Sequence, residues 1–551
     1  MRNQGSGGLQ SSLDGWRRAR DAFHWQLPEE FNFGRDVVDR FARDAGRPAL
    51  LWRGPAGEER RLDYAQVARA SNRVAHWLRA RGLAPGSPLI VMLPKVPEWQ
   101  IVLVGALKAG CLVIPSSTIL RPKDIAYRAR HSRAAALVTA ADQVPAVEAV
   151  RRECPALRHR LCLGTPQAGL PAGWEDLETA LAAQPDDAAA QHATRASDPA
   201  LVYYTSGTTG PPKAVLHGHG YTFAHRYTAQ YWLGLRPNDR LWTTSDTGWA
   251  KAAYSVLFGP WSLGAEVFMA AGRFDPAREL ELLAQARPQV FCAPPTEFRL
   301  LVKEAGLARL ALPSLRECVS AGEPLNPEVI RAFAQATGVR IRDGYGQTES
   351  ILLVGNFPGI PLRPGSMGLP MPGHRVEIID SQGQVLGPGE VGDIAVGAEA
   401  PSLFQEYWKD PQATARSRRG EWYVTGDRGS RDEDGYLWFV GRADDVIISA
   451  GYRIGPFEVE SALLEHPDVV EAAAVAAPDP DRGAVVKAYV VVRAGAQGGP
   501  ELARALQEHV KAVTAPYKYP RQVEFVASLP KTVSGKIRRI ELRARSAGSP
   551  T

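Results

Sequence analysis

Cysteine is scarce in this chain of 551 residues, and what there is lies scattered. Cys111, Cys154, Cys162, Cys292 and Cys318 form no CxxC pair, so neither a disulfide framework nor a zinc ribbon is indicated, and a reducing compartment fits. No apolar run approaches the ~20 residues that a membrane-spanning helix needs. Excess charge of one sign is missing too. Against 65 Lys and Arg stand 59 Asp and Glu, a net +6, with no basic block in mid-chain, which argues against a nucleic-acid partner. The N-terminus, MRNQGSGGLQSSLDGWRRAR, lacks the apolar stretch of a secretory signal. Its Arg17, Arg18 and Arg20 keep an organelle transit peptide as the alternative to a cytoplasmic location. Internal repeats are absent.

What is present has the balance of a globular protein, 45% apolar and 23% charged, at a length that suggests roughly three or four core-forming units. Short apolar runs alternate with amphipathic stretches. PLIVMLPK (88–95), CLVIP (111–115) and AAALVTA (134–140) read as buried strands, and EWQIVLVGALKAG (98–110) as a helix ending at Gly110. Short links between them mark parallel βαβ units. ALVYYT (200–205), QVFCAPP (289–295) and LRECVSAG (315–322) continue the series. Near 365–440 the pattern becomes alternating, predicting a small antiparallel β unit. After GRADDVIISAG (441–451) come strand, strand, helix and strand, enough for a separate small α+β domain.

One loop stands out. TSGTTGPPK (205–213) follows a strand, yet it is not a Walker A motif, because no GxxxxGK[ST] can be drawn through it and Pro211-Pro212 block an immediate helix. Its glycines let backbone N–H groups approach a ligand, its hydroxyls donate hydrogen bonds, and Lys213 adds a positive charge. On composition alone, a flexible surface turn is the alternative.

Together with DGYGQTES (343–350), GEWYVTGDRG (420–429), GRADDVIISAGYRIGPFEVE (441–460) and PKTVSGKIRR (530–539), this loop resembles the adenylate-forming superfamily. Within it, the chain is most similar to the AMP-forming acyl-CoA synthetases of medium-chain and aryl acids. A thinner likeness reaches FNFGRDVVDRF (31–41). The pattern and the resemblance imply an α/β fold. A large N-terminal domain of two parallel-rich βαβ sheets plus the small β unit would occupy 21–443. A mobile C-terminal domain would occupy 444–545, after a hinge at Asp444. Residues 1–20 and 546–551 are expected to be loose.

The resemblance also implies two steps. A carboxylate attacks the α-phosphorus of ATP to give an acyl adenylate, and CoA then displaces AMP. Thr205, Ser206, Gly207, Thr208, Thr209, Gly210 and Lys213 would hold the outer phosphates. Gly322, Glu323, Pro324, Asp343, Gly344, Gly346 and Gln347 fall at adenine-pocket positions, with Tyr345 stacking on the base. Thr348 would bond the α-phosphate, and Glu349 would ligate Mg²⁺, which favours one or two carboxylates plus phosphate oxygens. Asp427 would accept both ribose hydroxyls, with Arg442 nearby. Lys536 is the catalytic lysine, bridging the attacking carboxylate and the α-phosphate. Gly451, Tyr452, Arg453 and Arg482 would face CoA, and Trp249 and Gly346 the acyl pocket. Acetyl-CoA synthetases carry tryptophan where this chain has Gly346, so a C4–C10 or benzoate-like acid is expected rather than acetate.

Plainer roles compete for several of these residues. Glu349 and Lys536 could be ordinary surface side chains, Asp427 a turn residue, Asp444 a linker residue and Trp249 plain core. His217 and His219 suggest a metal, but no carboxylate or thiol sits at ligand spacing, so ordinary packing or loop hydrogen bonds are preferred. The partners implied are ATP, CoA and a small carboxylic acid, with no membrane span or nucleic acid, and a homodimer is compatible. The rival functions are loading of a carrier protein instead of free CoA, and a nucleotide-binding regulator without turnover.

Overall fold

Uninterrupted apolar runs become parallel strands covered on both faces, as such runs require. In the computed structural model, which describes residues 5–205, 211–450, 452–480, 482–531 and 536–548, Leu112–Pro115, Pro88–Met92, Ala136–Ala140 and His159–Leu163 lie side by side in parallel. The helix Pro97–Lys108, largely apolar all round, is buried at every residue. Just beyond it Gly110 takes a φ of +73°, a left-handed stop that suits glycine. Lys108 is fully enclosed and donates to Asp39 Oδ1 (2.6 Å), Asn72 Oδ1 (2.7 Å) and the Ala68 carbonyl (3.2 Å). Burial lowers its pKa, and Asp39 counters that effect.

Pro199–Thr205 extends this sheet in parallel, and Lys213–Gly218 returns antiparallel with Lys213 facing Thr205. At the edge, Glu406–Tyr407 pairs with the returning strand, Tyr407 opposite Val215. Segments nearly two hundred positions apart thereby become neighbours.

A second, larger sheet has the antiparallel strand Glu59–Asp63 at its edge, followed by six parallel strands, Pro48–Arg53, Glu266–Ala270, Arg240–Thr243, Val290–Cys292, Glu317–Ala321 and Ile341–Gly346. It then runs antiparallel through Leu352–Gly355, Ser366–Pro370, Leu437–Arg442, Trp422–Arg431, Gly392–Gly397 and Val376–Ile379. The β unit expected near 365–440 is therefore an extension of the large sheet, joined through the Val354–Pro370 pairing.

The N-terminal lead differs from expectation. In place of a loose arm, Gly5–Asp21 is a helix with Leu13 and Trp16 buried. Trp16 Nε1 donates to the Pro370 carbonyl (3.1 Å) and Trp25 Nε1 to that of Gly373 (2.8 Å). Two indole N–H groups with backbone partners hold the segment down.

In the C-terminal part, Val469–Asp479 and Gly483–Val492 pair antiparallel, and Gln522–Phe525 joins in parallel. Helices Pro456–Leu464 and Pro500–Val513 cover one face with a core of their own that includes Val459, Leu463, Leu506 and Val510. Helix Arg539–Ser546 covers the other face through Leu542. All five cysteines are buried free thiols. No helix among the described residues is long and apolar enough to cross a membrane.

Candidate active site

The large sheet changes from parallel to antiparallel at Ile341–Gly346, and the candidate residues gather at that strand's C-terminal end. Tyr345 OH and Gln347 Nε2 each donate to Asp427 Oδ2 at 2.6 Å. Arg442 Nη1 stands 3.3 Å from Asp427 Oδ1. Gln347 is fixed in turn, donating to the Thr425 carbonyl (3.0 Å) and accepting from Tyr423 OH (2.8 Å). The Asp427 side chain is only 6% exposed, so its charge depends on these neighbours. Burial raises its pKa, and Arg442, Tyr345, Gln347 and Lys536 all pull it back. Lys536, on the small C-terminal part, thus acts electrostatically on a carboxylate of the large one.

Around the turn, Tyr407 OH donates to Glu349 Oε1 at 2.8 Å, and Phe404 N–H donates to the Glu349 carbonyl. Lys213 Nζ lies 4.6 Å from the centre of the Tyr407 ring, in cation–π range. Burial raises the phenols of Tyr345, Tyr407 and Tyr423, and nearby carboxylates add to the shift, so all three stay protonated donors. Burial drops His217 to about 3, leaving a neutral ring. A carbonyl only accepts, so its Nε2 donates to the Thr348 carbonyl (2.7 Å), and the ring stacks on Tyr221.

Asp343 is buried on the same strand, paired with Ser320, and burial lifts its carboxyl well above the usual range. Gly344 lies opposite Ala321, next to Gly322, whose φ is +103°. Glu323 is turned aside, accepting from Thr296 Oγ1 (2.7 Å) and Arg299 Nη2 (3.3 Å). At Gly346 an added Cβ would stand 2.6 Å from the Ile351 carbonyl oxygen, where the pairing with Leu352–Gly355 shifts register. Glycine is thus required there by the backbone itself. Trp249 is half-buried.

Asp444 bridges the two parts. Its Oδ1 lies 3.9 Å from Arg442 Nε, and its carbonyl accepts from Arg543 of the last helix at 3.1 Å. Arg539 is occupied by Glu460 at 2.7 Å, a structural use. Tyr452 is 53% exposed and stacks on Tyr517 at 4.4 Å. The Arg482 carbonyl accepts from Ala450 N–H, bringing it to the same hairpin as Tyr452 and Arg453. Ser206, Gly207, Thr208, Thr209, Gly210 and Gly451 lie outside the described residues.

The sequence singled out neither Tyr407 nor Tyr423, whereas His217 makes the packing and loop hydrogen bond expected of it. The signal of the two tyrosines was weak, since such residues suit plain packing equally well. As for a cation, no group of three or more His, Cys, Asp or Glu side chains gathers among the described residues. A single carboxylate such as Glu349 suits Mg²⁺, which keeps waters and phosphate oxygens as its other ligands.

The AMP-binding enzyme family model matches residues 37–408, and the AMP-binding enzyme C-terminal domain model matches 458–536. Acyl-coenzyme A synthetase ACSM3, mitochondrial, of Mus musculus is 43% identical over 97% of this chain and 94% of its own. The uncharacterized acyl–CoA ligase YtcI of Bacillus subtilis is 45% identical over 94% and 96%. Among solved structures, the anthranilate CoA ligase AuaEII with anthranoyl-AMP superposes at a TM-score of 0.87, with 30% identity, over 95% of this chain and 98% of that one. A benzoate CoA ligase from Burkholderia xenovorans LB400 gives 0.82, with 29% identity, over 93% and 100%.

Proposed function

We propose, because the chain belongs to the AMP-binding enzyme family, that it joins a carboxylic acid to CoA at the expense of ATP, through an acyl adenylate. One observation carries the reading: Tyr345, Gln347, Arg442 and Lys536, drawn from both parts of the chain, converge on the buried Asp427. An acid and a triphosphate are both anions, so the step needs fixed donors and positive charge more than a base.

In this reading Asp427 takes the ribose hydroxyls, in a pocket that Tyr345 and Gln347 hold ready. Asp343, Gly344 and Gly322 line the adenine side. Lys213 and the loop before it meet the outer phosphates. Thr348, whose carbonyl His217 anchors, faces the α-phosphate. Lys536 steadies the charge between the acid oxygen and phosphorus. Mg²⁺, when bound through Glu349, supplies charge neutralisation at the phosphates. Asp444, in contact with Arg442 and Arg543, is the pivot on which the small part turns. That turn withdraws Lys536 and brings Tyr452, Arg453 and Arg482 toward CoA.

For the acid we favour medium-chain or aryl carboxylates over acetate. The relatives named for anthranilate and benzoate support this choice, and in this reading the half-buried Trp249 lines the acyl pocket. The cytoplasmic location belongs to the same proposal and is checked by fractionation. An acid-dependent ATP–pyrophosphate exchange screen across aliphatic and aryl acids, followed by thioester detection with CoA, tests the function. Absence of AMP formation with every acid would refute it.

A further inference from the structure

Tyr407 belongs to none of the motifs that marked the site, yet it touches two of their charged residues at once. Its hydroxyl donates to Glu349 Oε1 at 2.8 Å, and its ring lies 4.6 Å from Lys213 Nζ. The tyrosine is itself held firmly. It is buried, its strand pairs with the one leaving the phosphate loop, its N–H donates to Thr414 Oγ1 (2.9 Å), and Phe404 packs at 4.8 Å. A carboxylate only accepts, so the bond runs from Tyr407 to Glu349. A glutamate side chain has several rotors to freeze before it can serve a ligand. Here one oxygen is fixed in advance by a residue that owes its place to a different sheet.

We propose that Tyr407 is a positioning residue for the magnesium nucleotide: its hydroxyl fixes Glu349 through Oε1, and its ring spaces Lys213 from that carboxylate. This rests on the site reading given above. A carboxylate held this way would offer the cation one fixed orientation. A fixed ligand suits the strict octahedron of Mg²⁺ better than the larger, flexible ligand sphere of Ca²⁺. Partners of metal ligands commonly govern metal affinity in this way.

The test is calorimetric titration of the full chain with a non-hydrolysable ATP analogue, in EDTA, in Mg²⁺ and in Ca²⁺, comparing wild type with Tyr407→Phe. Phenylalanine keeps the ring under Lys213 and against Phe404, and binding in EDTA reports that the fold is intact. Wild type is expected to gain affinity with Mg²⁺. Tyr407→Phe is expected to bind normally in EDTA, lose roughly tenfold or more of the Mg²⁺ gain, and narrow the preference for Mg²⁺ over Ca²⁺. An unchanged or larger Mg²⁺ gain in the variant overturns the inference while leaving the site reading intact. An equal loss in EDTA also overturns it, since a merely structural role predicts that. No Mg²⁺ gain in wild type overturns both.

Discussion

Asp427 and Arg442 stand directly opposite one another on neighbouring antiparallel strands, with Oδ1 and Nη1 3.3 Å apart. Burial drives the Asp427 carboxyl up, and Arg442 is the strongest influence holding it down. Arg442→Gln removes that hold. The carboxyl then protonates at higher pH, so the acid limb of the pyrophosphate-exchange profile is expected to move upward. A profile of kcat/KM for ATP against pH reads this, and an unmoved limb would show that Asp427 is not the titrating group.

Lys536→Ala separates the two half-reactions. Its ammonium acts on the cleft from the small C-terminal part, so its loss should lower pyrophosphate exchange by about a hundredfold or more. Conversion of supplied acyl adenylate to thioester should persist nearly unchanged. Equal losses in both assays would contradict the division of labour.

Gly346 was read from the sequence as room for a larger acid. The contact of 2.6 Å between an added Cβ and the Ile351 carbonyl assigns it a backbone duty as well. Gly346→Ala should therefore depress exchange with every acid by roughly tenfold, because overpacking of this kind costs about 1–3 kcal/mol. If the shortest acids were spared, the glycine would serve the tunnel alone.

Glu279 makes stability depend on pH. It is buried in the first turn of helix Pro276–Ala286, and burial raises it to about 7. The folded protein holds this proton more tightly than the unfolded chain does. The contribution is thus complete below the unfolded carboxyl's pKa and disappears as pH rises through about 7. Glu279→Gln should stabilise the protein at pH 8 by on the order of 2 kcal/mol and change little at pH 4, as read by denaturant midpoints.

The parts of the fold that were legible share a physical cause. Strands such as Pro88–Met92 and Leu112–Pro115 are covered on both faces, so the sequence is apolar without interruption and declares itself. The helix Gly5–Asp21 does not, because its glycines and serines are poor helix formers and it is held by tertiary contacts of Trp16 and Leu13. Lys108 was hidden by prior expectation, since an isolated lysine usually reads as surface, and its partner Asp39 lies far away in the chain. In the site, Tyr345, Gln347, Asp427 and Arg442 sit in recognisable motifs and do meet. Tyr407 acts through contacts created by strand pairing, which no local pattern announces.

An enzyme that must handle a reactive sulfhydryl on its co-substrate benefits from having none of its own within reach. Every cysteine here is enclosed, and burial raises Cys111 to about 12 and Cys162 to about 11, far from the thiolate form that exchanges. Oxidised coenzyme should therefore leave the folded protein unmodified, and alkylating reagents should label it only after it unfolds.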